Sequence, residues 1–454
     1  MESDRKYKVL SLFSGGMGLD IGMDKTGMFE VVACVEKEKA FCETIRTNRD
    51  TGRLPSRLAV FEGDIRNISP LKILEEINLN PEDIDVIVGG PPCQSFSTAG
   101  RRGTLQDPRG TLLWEFLRFV DAIRPKMFLM ENVRGLLSAA IKHRPIAQRP
   151  EKGGALLSAD EEPGSVVRMF ARDLAELEGC AYHLDIFEVN AVNYGAPQIR
   201  ERALFIGNRY GVKIDFPYPT HGPIHAPEDD DCQLGLFKKK EFLPWSTLGN
   251  ALNNLEDTNP VVMDFSPRKK SFLEMVPPGS NWRSLPVVIQ QESMGKAWHA
   301  KGGRSGWWRR LTFDLPSPTL VTMPNHASTS LCHPTETRAL SIREYARVQE
   351  FPDDWEFAGK TAEQYAQVGN AVPTRLGEVA GKVIADTLDE LKKRNWEPYS
   401  DFDPDPRIVY LQSHVRTRCW YRNGQTIIWD SEDNNNGAGY SRPKTVKRTR
   451  KLLR

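Results

Sequence analysis

Three short stretches hold residues able to do chemistry. The first is Gly89-Gly90-Pro91-Pro92-Cys93-Gln94-Ser95-Phe96-Ser97. A thiol carried on a stiff Pro-Pro step, at the end of an apolar run, is placed for nucleophilic attack. The second is Glu131-Asn132-Val133, a carboxylate that also ends an apolar run and suits an acid or a hydrogen-bond partner. The third is Gln198-Ile199-Arg200-Glu201-Arg202, with arginines at i and i+2. On extended backbone these two face the same way, and paired guanidiniums suit a phosphate or a base oxygen. Each feature also has a plainer reading: an inert buried cysteine, a helix-start acid, a solvated charge pair. For Cys93 its place at the end of an apolar run and its glycine–proline frame favour the chemical reading, and the Gly/Arg-rich stretch that follows, from Ser97 to Gly110, suits a loop able to close over a substrate.

A fourth stretch points to a ligand. The apolar run Val9–Phe13 ends in Ser14-Gly15-Gly16-Met17-Gly18-Leu19-Asp20-Ile21-Gly22. Such a turn lets backbone N–H groups approach a bound molecule. Its spacing fails the dinucleotide pattern GxGxxG, since Ile21 stands where the third glycine belongs. Hydride transfer is therefore disfavoured. Glu36 ends the next apolar run and Asp64 follows the one after. An acid at the end of the second strand is where ribose hydroxyls find an acceptor. Successive strand-end features favour an adenosine-type ligand.

The elements that must hold these residues are legible as alternating strands and helices. Strands are predicted at Val9–Phe13, Val31–Val35, Val60–Phe61, Asp85–Val88, Met127–Met130, Leu184–Val189 and Ala203–Ile206. Val86-Ile87-Val88 is continuously apolar, as in a parallel strand buried on both faces. Helical patterns at Leu71–Ile77 and Leu112–Ile123 lie between strands. The expected fold is α/β: a doubly wound, mostly parallel sheet with ligands beyond the strands' carboxyl ends. Residues 210–335 are rich in Pro, Trp and basic side chains and read as a smaller, irregular domain. Ser341-Ile-Arg-Glu344 is a capping box opening a short helix to about Gln349, and a long helix runs from about Thr374 to Arg394. In the remaining tail, Ile408–Leu411 and Thr426–Trp429 are candidates to pair as strands.

The 454 residues carry 61 Lys+Arg against 60 Asp+Glu, a net charge of +1. Taken alone, that near-neutral total speaks against a nucleic-acid partner. It hides an asymmetry. Residues 265–313 carry a net +7, with Trp282, Trp298, Trp307 and Trp308 interleaved, and the tail 441–454 carries another +7. Basic plus aromatic sequence suits phosphate contact and groove insertion. Seven scattered cysteines form no zinc-type pattern. His221 and His225 have the spacing of a metal pair on a helix, but they lie among prolines, so no metal is expected. With a polar start, no membrane-length apolar run and no disulfide framework, a reduced cytoplasmic setting is expected.

Taken in order, these motifs identify a resemblance. Leu12-Phe13-Ser14-Gly15…Gly18, Gly89-Gly90-Pro91-Pro92-Cys93-Gln94-Ser95-Phe96, Glu131-Asn132-Val133, Gln198-x-Arg200-x-Arg202, Arg338-x-Leu340-Ser341-x-Arg343-Glu344…Gln349-x-Phe351-Pro352 and Gln367-Val368-Gly369-Asn370-Ala371-Val372-Pro373 span roughly residues 7–394. The chain resembles the DNA (cytosine-5)-methyltransferases of bacterial restriction–modification systems. One departure is Met17, where that family usually has glycine.

The resemblance implies a Rossmann-like sheet that binds S-adenosylmethionine and a smaller target-recognition domain. It implies Cys93 as the thiolate that adds to C6 of cytosine. Glu131 would contact N3 and the exocyclic amine, and Arg202, with Arg200, would brace the base oxygen or its phosphate. Phe13, Gly15, Gly18, Glu36, Asp64, Ile65, Pro92, Leu112, Asn370 and Val372 match the family's cofactor pocket. Duplex DNA would be the substrate, with the cytosine flipped out and Gln94, Ser97, Arg101 and Arg102 near the opened pair. Arg309, Arg310, Thr319 and Thr322 would face DNA, with Thr312–Pro324 as the reading segment. The implied division is 1–209 catalytic, 210–363 target-recognition, 364–395 a returning helix and 396–454 an extension. A monomer paired with a restriction endonuclease is the expected context. Alternatives are a transfer-RNA cytosine methyltransferase and a non-catalytic DNA-binding module. The large basic region disfavours the first, and the intact Cys93, Glu131 and Arg202 disfavour the second.

Overall fold

The computed structural model describes residues 6–92, 111–178, 180–222, 242–299, 305–398 and 405–411. Cys93, Gln94, Ser97, Arg101, Arg102, His225, Thr426–Trp429 and the tail 441–454 lie outside the described residues.

The first half of the chain follows the alternation read from the sequence. In chain order it comprises β1 (Tyr7–Leu12), α1 (Gly18–Asp24), β2 (Phe29–Glu36), α2 (Lys39–Asp50), β3 (Ala59–Glu62), α3 (Pro70–Glu76), β4 (Val86–Gly89), α4 (Leu112–Ile123), β5 (Met127–Val133), α5 (Ser165–Ala175), β6 (His183–Asn190) and β7 (Glu201–Asn208). The long sheet runs β10-β6-β7-β5-β4-β1-β2-β3, where β10 is Arg407–Tyr410. Every pairing is parallel except those of β7, which runs antiparallel to both β5 and β6. All four residues of β4 are buried, as its unbroken apolar run requires. The order reverses between β1 and β4, and that switch point is where an open α/β sheet leaves a crevice for a ligand.

The second half of the chain adds a parallel pair of two-residue strands, β8 (His221–Gly222) and β9 (Leu243–Pro244). The helices α6 (Leu248–Leu252), α7 (Pro267–Leu273) and α8 (Val287–Met294) follow. It closes with α9 (Ile342–Val348), α10 (Thr361–Asn370) and α11 (Thr374–Arg394). Phe265, Phe272, Leu273, Val276, Trp282, Leu285, Met294, Trp308, Cys332 and Ala339 form a core of their own. From Leu340 onward the chain packs into the main core, with Tyr345, Phe351, Tyr365 and Leu376.

Two expectations change. Two of the tryptophans are not available for groove insertion: Trp282 and Trp308 are buried in the small core, while Trp298 and Trp307 pack on it half-buried. Large aromatic area is what an irregular unit with short helices needs in order to bury enough apolar surface. Ile408 pairs not with a neighbouring tail strand but with Ile186 of β6, in parallel register. Arg407 anchors that docking through Asp185, 2.5 Å away and fully buried. Among the described residues no helix is long and apolar enough to cross a membrane.

Candidate active site

A cavity of about 1070 Å³ opens at the β1/β4 switch point. All ten residues expected to hold a cofactor line it, and so do Glu131, Arg200 and Arg202. Helix α10 adds Ala362, Glu363 and Ala366, which the motif reading did not single out.

The end of the cavity under β1–β3 has the character of a nucleoside site. The turn after β1 alternates left-handed residues: φ is 53° at Phe13, 54° at Gly15 and 67° at Met17. A left-handed residue at 17 is natural for glycine and strained for methionine. Met17 is fully buried, and the apolar burial offsets that strain. Glu36 ties the turn down. Its carboxylate accepts the Gly15 N–H at 2.8 Å and the N–H groups of Lys37 and Glu38 at 2.7 and 2.8 Å. Burial nonetheless pushes its carboxyl above the ordinary range. Asp64 caps the short turn after β3 and pairs with Arg66 at 2.6 Å; these bonds hold its carboxyl well below the ordinary range. Gly18 is required by contact: a Cβ there would lie 2.3 Å from the Val372 carbonyl oxygen. The donor set fits S-adenosylmethionine: strand-end acids for hydroxyl and amine groups, free space over Gly15, and an apolar wall of Phe13, Ile65, Leu112 and Val372.

The other end holds the acid and its partners. Register pairs Val133 with Arg202, so Arg202 and Glu131 lie diagonally on one face of the sheet. Arg202 Nε forms an ion pair with a Glu131 carboxylate oxygen. Because β7 is antiparallel, its first residues meet the carboxyl ends of β4 and β5 at the same edge. Gly90 abuts Glu131: a Cβ on Gly90 would stand 3.1 Å from Glu131 Oε2. Asn132, buried, donates from Nδ2 to the Pro91 carbonyl at 3.0 Å. The Pro91-Pro92 step that leads into Cys93 is thus held against the acid. The sequence displayed Asn132 within its motif but not this role, which is visible only when two strand ends meet.

Three expected contacts take other partners. Arg200 lines the cavity, but its guanidinium donates to the carbonyls of Leu320, Gly369 and Asn370 at 3.2, 3.0 and 3.3 Å. It braces protein rather than a base; burial and the nearby Arg202 charge weigh against its charged form. Arg310 is buried and donates to the carbonyls of Leu273 and His333 and to the Thr337 hydroxyl. Arg309 is buried and directs Nε to the Ser330 carbonyl at 3.3 Å. Both arginines hold the small unit together and are not free for phosphate. Thr319 is exposed and Thr322 half-buried, both on the segment that docks against Gln198–Arg200.

Comparison with known proteins gives one picture. Residues 7–386 match the family model described as C-5 cytosine-specific DNA methylase. Type II methyltransferase M.Sau96I of Staphylococcus aureus is 33% identical over 393 residues, covering 86% of this chain and 78% of that protein. Type II methyltransferase M.Eco47II of Escherichia coli is 34% identical over 397 residues, covering 86% and 82%. A crystal structure of an Escherichia coli prophage protein assigned as a DNA modification methyltransferase aligns with a TM-score of 0.53 and 25% identity, over 85% of this chain and all of that one.

Proposed function

Because the chain belongs to the C-5 cytosine-specific DNA methylase family, we propose that it methylates C5 of a cytosine in a particular duplex sequence. We propose that it does so through a covalent bond between Cys93 and C6 of a flipped-out base. The enzyme is a DNA cytosine-5 methyltransferase, and its methyl donor is S-adenosylmethionine. The observation that carries the finer reading is the meeting of Glu131, Arg202 and the Pro91-Pro92 step at one end of the cavity, with the ten expected cofactor residues along the rest.

C5 of cytosine is a poor nucleophile. Addition of the Cys93 thiolate to C6 forms an S–C6 bond and moves ring electron density to C5. Glu131 stabilises that adduct at N3 and the exocyclic amine, held in place by Arg202. Phe13, Gly15, Gly18, Glu36, Asp64, Ile65, Pro92, Leu112, Asn370 and Val372 would hold the cofactor, which when bound supplies an electrophilic methyl group. Loss of the C5 proton and breakage of the S–C6 bond return the aromatic ring. A stacked base cannot reach the thiol, so the cytosine leaves the duplex; Gln94, Ser97, Arg101 and Arg102 are proposed to attend the opened pair.

Target recognition is assigned to residues 210–363, chiefly the unit cored by Trp282 and Trp308, with Thr319 and Thr322 toward DNA. The enzyme would act as a monomer in the cytoplasm and protect host DNA from an endonuclease of the same specificity. Bisulfite sequencing of plasmid DNA from cells expressing the chain tests the reading and reports the target site. Cys93→Ser is expected to abolish methyl transfer while leaving duplex binding measurable; full activity in that variant would overturn the mechanism. Incorporation into transfer RNA but not duplex DNA would reassign the substrate.

A further inference from the structure

Arg200 occupies a junction of three functional parts. Its side chain is 3% exposed, and its bonds run to the Leu320, Gly369 and Asn370 carbonyls. No acceptor meets its Nε among the described residues. A buried guanidinium answered chiefly by carbonyl dipoles is costly to hold, so its geometry depends on where those carbonyls stand.

These carbonyls belong to two different parts of the molecule, and the strand that carries Arg200 belongs to a third. Leu320 lies in the segment proposed to read DNA. That segment is laced to the Arg200 strand: Ser317 N donates to the Pro197 carbonyl at 2.8 Å, Ile199 N to the Ser317 carbonyl at 2.8 Å, Leu320 N to Gln198 Oε1 at 3.0 Å and Thr319 Oγ1 to the Ile199 carbonyl at 2.7 Å. Gly369 and Asn370 end α10, and Asn370 lines the cofactor end of the cavity. Gln198 Nε2 donates to Gln349 Oε1 at 2.8 Å, and Gln349 Nε2 reaches the Val368 and Ala371 carbonyls at 2.7 and 3.0 Å. The two parts also touch backbone to backbone, since a Cβ on Gly369 would sit 2.8 Å from Val321 main-chain atoms. Two residues beyond Arg200, Arg202 holds Glu131.

We infer that Arg200 is a positioning residue that couples cofactor binding to DNA binding, each ligand raising the affinity for the other. Cofactor seated against Asn370 fixes the Gly369 and Asn370 carbonyls. Those carbonyls fix the guanidinium, and the guanidinium with Gln198 fixes Leu320 and its segment. The ordering cost met by the first ligand is spared the second, and linkage makes the effect reciprocal. The inference rests on the reading of residues 317–322 as DNA-facing.

Two measurements on the full chain test it, with S-adenosylhomocysteine as a cofactor probe that cannot turn over. First, hydrogen exchange is followed in peptides covering 317–322 without DNA. Bound S-adenosylhomocysteine is expected to slow exchange there in the wild type but not in Arg200→Lys, which keeps the charge but not the fork of donors. Unchanged protection of β7 in both proteins controls for folding. Second, the S-adenosylhomocysteine Kd is measured with and without saturating duplex carrying the site found by bisulfite sequencing. The wild-type ratio is expected to be about fivefold or more, and that of Arg200→Lys near one. A wild type that binds both ligands with a ratio of one and no protection at 317–322 overturns the coupling and leaves the methyltransferase reading intact. Protection without any duplex binding overturns the DNA-facing reading of the segment, and the inference with it.

Discussion

Asp20 lies beneath the glycine turn, fully buried, bonded to Ser11 and with Oδ1 unpartnered among the described residues. Ser14 in turn donates to Ser11 at 2.9 Å, and the Cys34 thiol nearby is pushed well up by burial, with Asp20 adding to it. Desolvation raises the Asp20 carboxyl from 3.8 to about 7. The folded chain therefore binds this proton more tightly than the unfolded chain does. Its contribution to stability is complete below pH ~4 and is lost as pH rises through ~7. Asp20→Asn is expected to match the wild type in urea midpoint near pH 4, to gain on it up to about pH 7 and to hold a constant lead above that. Parallel midpoint curves would show that the carboxyl is solvated and ionised throughout. The sequence displayed Asp20 as one more polar residue of a glycine turn; only burial makes it a titrating group near neutrality.

At the scale of elements, α1 and α11 meet through glycines four residues apart on each helix. Cβ atoms on Gly18 and Gly22 would lie 2.3 and 2.1 Å from the carbonyls of Val372 and Thr374, and one on Gly377 2.4 Å from that of Leu19. Only glycine permits such close backbone approach. This contact seats Asn370 and Val372 over the glycine turn, so a packing detail sets one wall of the cofactor cavity. Gly377→Ala is expected to part the helices, cost about 1–3 kcal/mol of stability and weaken cofactor binding. Thermal melts and cofactor titration check both. Normal cofactor affinity in a destabilised variant would separate the wall from this contact. The antiparallel course of β7 matters similarly, because it delivers Arg202 to the strand end that carries Glu131.

At the scale of the molecule, the tail strand β10 completes the long sheet and covers the β6 edge. Its anchor, Arg407, meets an Asp185 carboxylate that is also contacted by His183 at 3.3 Å and by the Ile214 N–H at 2.7 Å. Arg407→Ala would leave that buried charge with two partners, at an expected cost of about 1–3 kcal/mol. Denaturant unfolding measures it, and a change under ~0.5 kcal/mol would mean that β10 contributes little. Charge is also redistributed by folding. Of the basic residues between 268 and 310, Arg309 and Arg310 are consumed inside the small unit, while Arg268, Arg283 and Lys296 remain exposed. The field offered to DNA is therefore carried by fewer groups than the sequence total implies.

The sequence by itself determined the α/β alternation, the helix Leu112–Ile123, the approximate course of the helix Thr374–Arg394, and which side chains gather at the strand ends. These are local matters: apolar periodicity, turn chemistry and motif spacing are written along the chain. Only the tertiary structure decided that Arg202 pairs with Glu131 while Arg200, two residues away, spends its donors on three carbonyls. It alone decided that Trp282 and Trp308 are core, that Arg309 and Arg310 are struts, and that Ile408 joins β6. An arginine or a tryptophan reads the same in sequence whether it faces solvent, DNA or protein. Its partner is set by packing between segments distant in the chain, which composition and periodicity do not record.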